Sequence, residues 1–281
     1  MPEIKIRRAT PADRAKANQV EKEATPHLQY LDNVYDDWLS DNTGRLLVAE
    51  IAGKMVGTGK FTVLPDGSAW LETLRVSPDF QGMGIGKTFY RKFFDLAAER
   101  KIRTLRMYTE EYNSASKGLA ELNGFRLAAK FRGSSIPVPA IDTDEESASF
   151  IPVTDPDEAF SLLKPYADRW ENFLVMNRTF YRFSEPLLAK WSGCNMIYKH
   201  PASGTLVILG ARFLPERGLQ LALFAGDADR ALDFALQQTR LQGINRLQCM
   251  FPEAADGIRQ KLIARGFTPE DYYCQVMEYN R

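Results

Sequence analysis

The chain has 281 residues, room for one large or two mid-sized domains, since a domain typically takes about 100–200 residues. With 44% hydrophobic and 26% charged residues it reads as a soluble protein with real cores, and Lys+Arg 36 balances Asp+Glu 36, in each half as well as overall, which argues against a nucleic-acid footprint. The longest apolar run, Thr205–Ala211, falls far short of the ~20 residues that a bilayer core requires, so no membrane association is expected.

The opening Met1–Arg8 is charged and alternating where a signal peptide would be apolar, and the three cysteines (Cys194, Cys249, Cys274) are odd in number, so a cytoplasmic protein with reduced thiols is expected. The two histidines, His27 and His200, have no Cys pair or HxxxH spacing nearby, so no metal site is expected.

In chain order, a strand over Ile4–Ala9 is followed by Pro11 and Asp13 at a helix start, then by a hairpin of Leu46–Ile51 and Met55–Val63. An alternating strand, Leu71–Val76, leads through a glycine-rich stretch into a helix with Phe89, Phe93, Leu96 and Ala97 on one face. A strand at Leu105–Tyr108 and the pair Gly124-Phe125 follow. The second half repeats the order: Phe150–Val153 with Pro156 and Asp157, a hairpin of Ile197–Lys199 and Leu206–Leu214, a helix with Leu232, Ala235, Leu236 and Thr239, a strand at Leu247–Met250, and Gly266-Phe267.

Leu105 to Leu247 and Gly124 to Gly266 are both offsets of 142, so two copies of one α/β unit are the simplest account. The polar stretch Asp142–Ser147 reads as the linker, giving domains 1–145 and 146–281. Val76 to Leu105 spans 29 residues and the matching Phe224 to Leu247 spans 23, so the second copy lacks six residues where the first has its glycine-rich loop.

That loop runs Val76-Ser77-Pro78-Asp79-Phe80-Gln81-Gly82-Met83-Gly84-Ile85-Gly86-Lys87-Thr88. Glycines at a helix N-terminus let main-chain N–H groups approach an anion closely, which predicts a phosphate cradle. A dinucleotide-binding GxGxxG fails because Phe89 stands at the third glycine. A Walker A loop is closer, with Gly86-Lys87-Thr88 in place, but its first glycine position is Gln81 and no Walker B run follows.

The string from Leu71 and Glu72 through Leu74, Val76, Pro78, Gln81, Gly82, Gly84, Gly86 and Lys87 resembles motif A of the Gcn5-related N-acetyltransferase (GNAT) superfamily. Asn113, Leu119 and Gly124-Phe125 resemble a second motif of that family, and the resemblance extends in element order over residues 3–136. It implies two α/β (α+β) GNAT-like domains, each a mixed, mostly antiparallel sheet flanked by helices, the second without its cofactor loop. The equivalent of Asn113 there is Ala255.

The resemblance implies acetyl-CoA as cosubstrate, with no metal. Its diphosphate would lie on main-chain N–H groups of Gln81, Gly82, Met83, Gly84, Ile85, Gly86 and Lys87, its pantetheine arm along Leu74 and Val76, with Asn113 as a further cofactor-binding residue. Glu72 is the candidate general base, since by alternation it shares an otherwise apolar face with Leu74 and Val76. The family's usual general acid, a Tyr four residues before the "GF" glycine, is Ala120 here; Ser116 and Tyr112 are the substitutes.

For the acceptor, Tyr30, Tyr35, Trp38 and Trp70 with Glu21, Glu23, Asp32, Asp36 and Asp37 would suit a cationic amine, although a core stripe with a solvated acidic face accounts for the same residues. The expected activity is transfer of acetyl to a primary amine of a small molecule or peptide by direct attack, as no cysteine occurs in residues 1–193. A homodimer is left open, as are a non-catalytic acyl-CoA sensor or scaffold and, behind both, a P-loop nucleotide hydrolase.

Overall fold

The computed structural model describes residues 3–139 and 149–281. The stretch 142–147, read as a linker, lies outside the described residues. Among the described residues no helix is long and apolar enough to cross a membrane. The chain forms two compact units: Met1–Met107, Asn113–Arg126 and Met277–Arg281 make the first, Tyr108–Tyr112 and Leu127–Val276 the second. The units thus do not follow the chain order of 1–145 and 146–281.

In the first unit, β1 (Ile4–Arg8) leads to α1 (Arg14–Ala24) and α2 (Leu31–Ser40), followed by β2 (Arg45–Ile51), β3 (Lys54–Val63) and β4 (Ala69–Val76). Then come α3 (Ile85–Glu99), β5 (Thr104–Glu110) and α4 (Ser114–Leu122), before β6 (Arg126–Pro137). The strand order is β1-β2-β3-β4-β5. The first four are antiparallel neighbours, and β4 and β5 are parallel.

The predicted α3 face is the one buried: Phe89 and Phe93 are 0% exposed, beside Leu96 and Ala97. Two glycines of β3 let this helix come close, since a Cβ at Gly59 would stand 3.0 Å from Phe89 and one at Gly57 3.2 Å from it. This core takes Leu71, with Leu74 and Val76 against it, and no side chain from α1 or α2. Those two helices bury a separate set, Ala17, Val20, Val34, Tyr35 and Trp38, and α1 packs on β3 and β4. The sheet therefore has two covered faces, and which face a β4 side chain takes decides its role.

The second unit continues with β7 (Ile151–Pro152), α5 (Pro156–Leu163), the hairpin β8 (Phe173–Met176) and β9 (Thr179–Arg182), and α6 (Glu185–Gly193). β10 (Ile197–Lys199), β11 (Leu206–Gly210), β12 (Leu219–Ala225), α7 (Ala228–Leu241), β13 (Arg246–Pro252), α8 (Asp256–Ala264) and β14 (Thr268–Asn280) complete it. Its strand order is β6-β13-β12-β11-β10-β7, with β12 and β13 parallel and the other pairs antiparallel.

The 142-residue offset recurs in three dimensions. α4 starts at Ser114 and α8 at Asp256, Gly124 and Gly266 have φ of 83° and 93°, and Phe125 and Phe267 are each 2% exposed. On α7, Leu232, Ala235 and Thr239 are buried as the pattern predicts, while Leu236 is half-buried and Phe234 takes the deeper position.

The last five residues belong to the first unit. Met277 is fully buried in its core, and the Tyr279 ring lies edge-on to Phe94 at 4.9 Å and beside Phe125 at 5.7 Å. Arg106 Nε donates to Glu278 at 2.5 Å while its Nη1 donates to Asp66 at 2.7 Å. Deleting residues 277–281 should therefore cost at least about 3 kcal/mol, because it empties a core position and takes one carboxylate from a buried guanidinium. The urea midpoint of the truncated chain measures this, and an unchanged midpoint would contradict it.

Candidate functional site

The segment between β4 and α3 begins with a short 3₁₀ turn, Pro78–Phe80, held by the Phe80 N–H to the Ser77 carbonyl. Phe80, Met83 and the buried Ile85 anchor the loop on the core, and Gln81 Nε2 donates to the Val76 carbonyl at 3.3 Å, tying the loop back to the end of β4. Between these anchors Gly82 and Gly84 take φ of 77° and 89°, left-handed values that other residues adopt only with strain.

Gly84 is the N-cap of α3 and supplies no side-chain cap. The first helical bond across this end runs from the Thr88 N–H to the Gly84 carbonyl. The N–H groups of Ile85, Gly86 and Lys87 are thus not consumed by the helix and, with the helix dipole, make the kind of helix N-terminus that can receive an anion. Gly86 also lets α4 approach, since a Cβ there would stand 2.6 Å from Leu119 Cδ2. The Lys87 side chain is exposed.

Beside this loop, β4 has a free edge. Its pairing to β5 covers Ala69↔Leu105 and Trp70↔Arg106, whereas its pairing to β3 continues to Gly57↔Val76. The two parallel strands part beyond Trp70. Because the Ser77 N–H bonds to the Val56 carbonyl of β3, alternation along the strand turns the main-chain groups of Val76 and Leu74 to this edge.

The alternation expected for β4 does not hold. Lys60 pairs with Glu72 and Thr58 with Arg75, so Thr73 and Leu74 together oppose Gly59 in a β-bulge, with Thr73 at φ 50°. The extra residue moves Glu72 off the face of Leu74 and Val76 and puts Arg75 on the face of Glu72 instead. Glu72 is 9% exposed, and Thr62 Oγ1 donates to its Oε1 at 2.5 Å.

Its cross-strand neighbour Lys60 is fully buried and ion-paired to Asp41 at 2.5 Å. Burial pushes the Asp41 carboxyl up, but the Lys60 ammonium and the Gly44 N–H outweigh it and hold the group well below the usual carboxylate range. Sequence reasoning missed Thr62, Thr73 and Arg75, and a bulge centred on a threonine leaves no mark in the residue pattern.

The remaining expected residues are not all brought together. Asn113 is the N-cap of α4, its side chain accepting the Ser116 N–H at 3.0 Å, which is a structural role. Among the described residues neither the Ser116 hydroxyl nor the Tyr112 phenol has a hydrogen-bond partner, and Tyr112 is 78% exposed. Ala120 is fully buried in the core.

Most of the aromatic and acidic set proposed for the acceptor is engaged in packing or ion pairs, while Glu23 and Asp37 are exposed. Tyr35, Trp38 and Trp70 are buried, and Tyr30 stands edge-on to Trp38. Asp32 and Asp36 hold Arg14, and Glu21 Oε2 accepts the Tyr30 and Leu31 N–H groups at the start of α2.

In the second unit the matching strand and helix are joined by Gly226 and Asp227 alone, against the eight residues 77–84 of the first. There the Asp227 carboxylate accepts the Arg230 N–H at 3.1 Å and caps α7, so the chain's own negative charge takes the place an anion would need. β12 and β13 also part, after Leu221↔Cys249, and Trp170 packs edge-on to Phe224 at 5.7 Å beside the resulting cleft of about 470 Å³.

Residues 13–125 match the family described as Acetyltransferase (GNAT) family. No curated protein matches the chain in sequence. Among solved structures, a GCN5-related N-acetyltransferase from Sphaerobacter thermophilus is 14% identical with a TM-score of 0.65, covering 99% of this chain and 95% of its own. A GCN5-related N-acetyltransferase from Kribbella flavida is 13% identical with a TM-score of 0.54, covering 99% and 71%. A GCN5-related glucosamine N-acetyltransferase region of a fungal multi-domain GH3 β-N-acetylglucosaminidase is 10% identical with a TM-score of 0.69, covering 99% of this chain and 38% of that one. At such identities these likenesses show the fold.

Replacing Gly84 by Ala forces an L-residue into the left-handed region at a cost of about 1–2 kcal/mol. Acetyl-CoA binding, measured by calorimetry, should weaken by about tenfold or more in Gly84→Ala, while Lys87→Ala should stay within about threefold because main chain forms the site. The reverse order would show that the lysine side chain, not the backbone, carries the anion.

Proposed function

We propose that the first unit is an N-acetyltransferase that moves acetyl from acetyl-CoA to a primary amine of a small molecule or peptide within a ternary complex. The observation that carries this reading is the uncapped, glycine-shaped N-terminus of α3 beside the free edge of β4. N–H groups over residues 82–87 would hold the diphosphate, and the main chain of Leu74 and Val76 would pair with the pantetheine amides. The second unit, with α7 capped by Asp227, would contribute no second acetyl-CoA site.

An alkylammonium has a pKa near ~10, so the acceptor must lose a proton before it can attack. In this reading Glu72, oriented by Thr62, takes that proton. The nitrogen lone pair then forms the new bond to the thioester carbonyl carbon, the C–S bond breaks and CoA leaves with the electron pair as a thiolate, while the nitrogen loses its second proton to solvent as the amide forms and solvent protonates the thiolate. Ser116 and Tyr112 remain the candidate donors from the chain itself. The buried Ala120 at the usual tyrosine position favours a second reading, an acyl-CoA sensor that binds without transfer.

Calorimetry should find one acetyl-CoA site per chain. Glu72→Gln should keep that binding and lose about 10²–10⁴ in turnover at neutral pH. Unchanged turnover would remove Glu72 from its role, and binding with no thiol release for any amine would leave the sensor.

A further inference from the structure

Resting on that reading, we propose that Arg75 is a specificity-determining residue and that the acceptor is an amine bearing an oxyanion, a carboxylate or a phosphate, a few bonds from its nitrogen. The bulge at Thr73 sets Arg75 on the same face of β4 as Glu72, opposite Thr58 and Lys60 of β3. The two side chains leave the sheet one two-residue step apart, about 7 Å. A base and a fixed cation on one face, beside the edge offered to the thioester, match an acceptor with a proton to lose at one end and a negative charge at the other.

The charge state of this face supports the assignment. Lys60 has Asp41, and Arg106 has Asp66 and Glu278. Arg75 has no carboxylate among the described residues. Its Nε is buried without a hydrogen-bond partner, and its Nη1 reaches only the adjacent Leu74 carbonyl, at 3.5 Å. Thr73 Oγ1, at the bulge itself and 4% exposed as a residue, is likewise buried without a partner.

A guanidinium left short of an acceptor is costly unless a ligand completes it, and its planar fork suits an oxyanion in two-point contact. Leu74 and Val76, the positions whose main chain faces the cofactor, point their side chains into the opposite core, which separates the Arg75 side chain from the cofactor edge.

Matched acceptor pairs test this: lysine against cadaverine, tyrosine against tyramine, and O-phosphoethanolamine against ethanolamine, each with acetyl-CoA and followed by thiol release. The wild-type chain should show at least tenfold higher kcat/KM for the acidic member of at least one pair, and which pair responds separates carboxylate from phosphate. Arg75→Ala should remove that preference through KM, leave turnover of the neutral member within about threefold, and bind acetyl-CoA as before, which also reports an intact fold. Arg75→Lys should restore part of the preference.

A second readout does not depend on turnover. The acidic probes should raise the melting temperature of the acetyl-CoA-saturated wild-type chain and not that of Arg75→Ala. Acidic probes that protect the wild type without any thiol release would keep this assignment and overturn catalysis. Equal use of both members of every pair, equal loss on both in Arg75→Ala, or weakened acetyl-CoA binding in that variant would overturn the assignment and leave acetyl transfer standing.

Discussion

Three N–H groups at the start of α3, capped by no side chain, are the constraint on which the rest of the site depends. Such donors are ordinarily satisfied by a Ser, Thr, Asp or Asn at the N-cap. Here the N-cap is Gly84 in a left-handed conformation, preceded by the left-handed Gly82, with Phe80, Met83 and Ile85 fastening the segment to the core on both sides. The loop is thus held firmly by its apolar residues and left open at its polar groups. The second unit shows the opposite solution, in which two residues replace eight and the carboxylate of Asp227 closes the helix end.

The second element of the site is a strand that serves two faces and one edge at once. Past Trp70, β4 loses β5 as a partner while keeping β3, which frees main-chain groups along Leu74–Val76. The bulge at Thr73 then reverses the facing of the residues after it, so that Leu74 and Val76 secure the strand to the α3 core while Glu72 and Arg75 face the side covered by α1 and α2. In a regular strand that kept every residue and had no bulge, Arg75 would fall on the face opposite Glu72. One left-handed threonine therefore sets which charged groups share a surface.

Much of this was legible in the residues. The start of α8 at Asp256 keeps the 142-residue offset from that of α4 at Ser114, and the six-residue deficit located the short β12–α7 connection. Glycine spacing announced the loop because left-handed backbone selects glycine so strongly. The bulge was hidden because it sits on Thr73, and period-two alternation then placed Glu72 on the wrong face. The aromatic and acidic residues of α1 and α2 looked like a recognition set by composition, but burial and ion pairing are set by partners distant in sequence, such as Arg14 for Asp32 and Asp36. The place of Met277–Arg281 beside β5 was equally beyond reach, since which strand completes which unit is a long-range property.

Amide hydrogen exchange with and without acetyl-CoA tests the central claim most directly, because it reads the backbone donors themselves. The amides of residues 82–87 should exchange markedly more slowly in the complex, with those around Gly226 and Asp227 unchanged. Protection that appears around 226–228 and leaves 82–87 untouched would contradict the account.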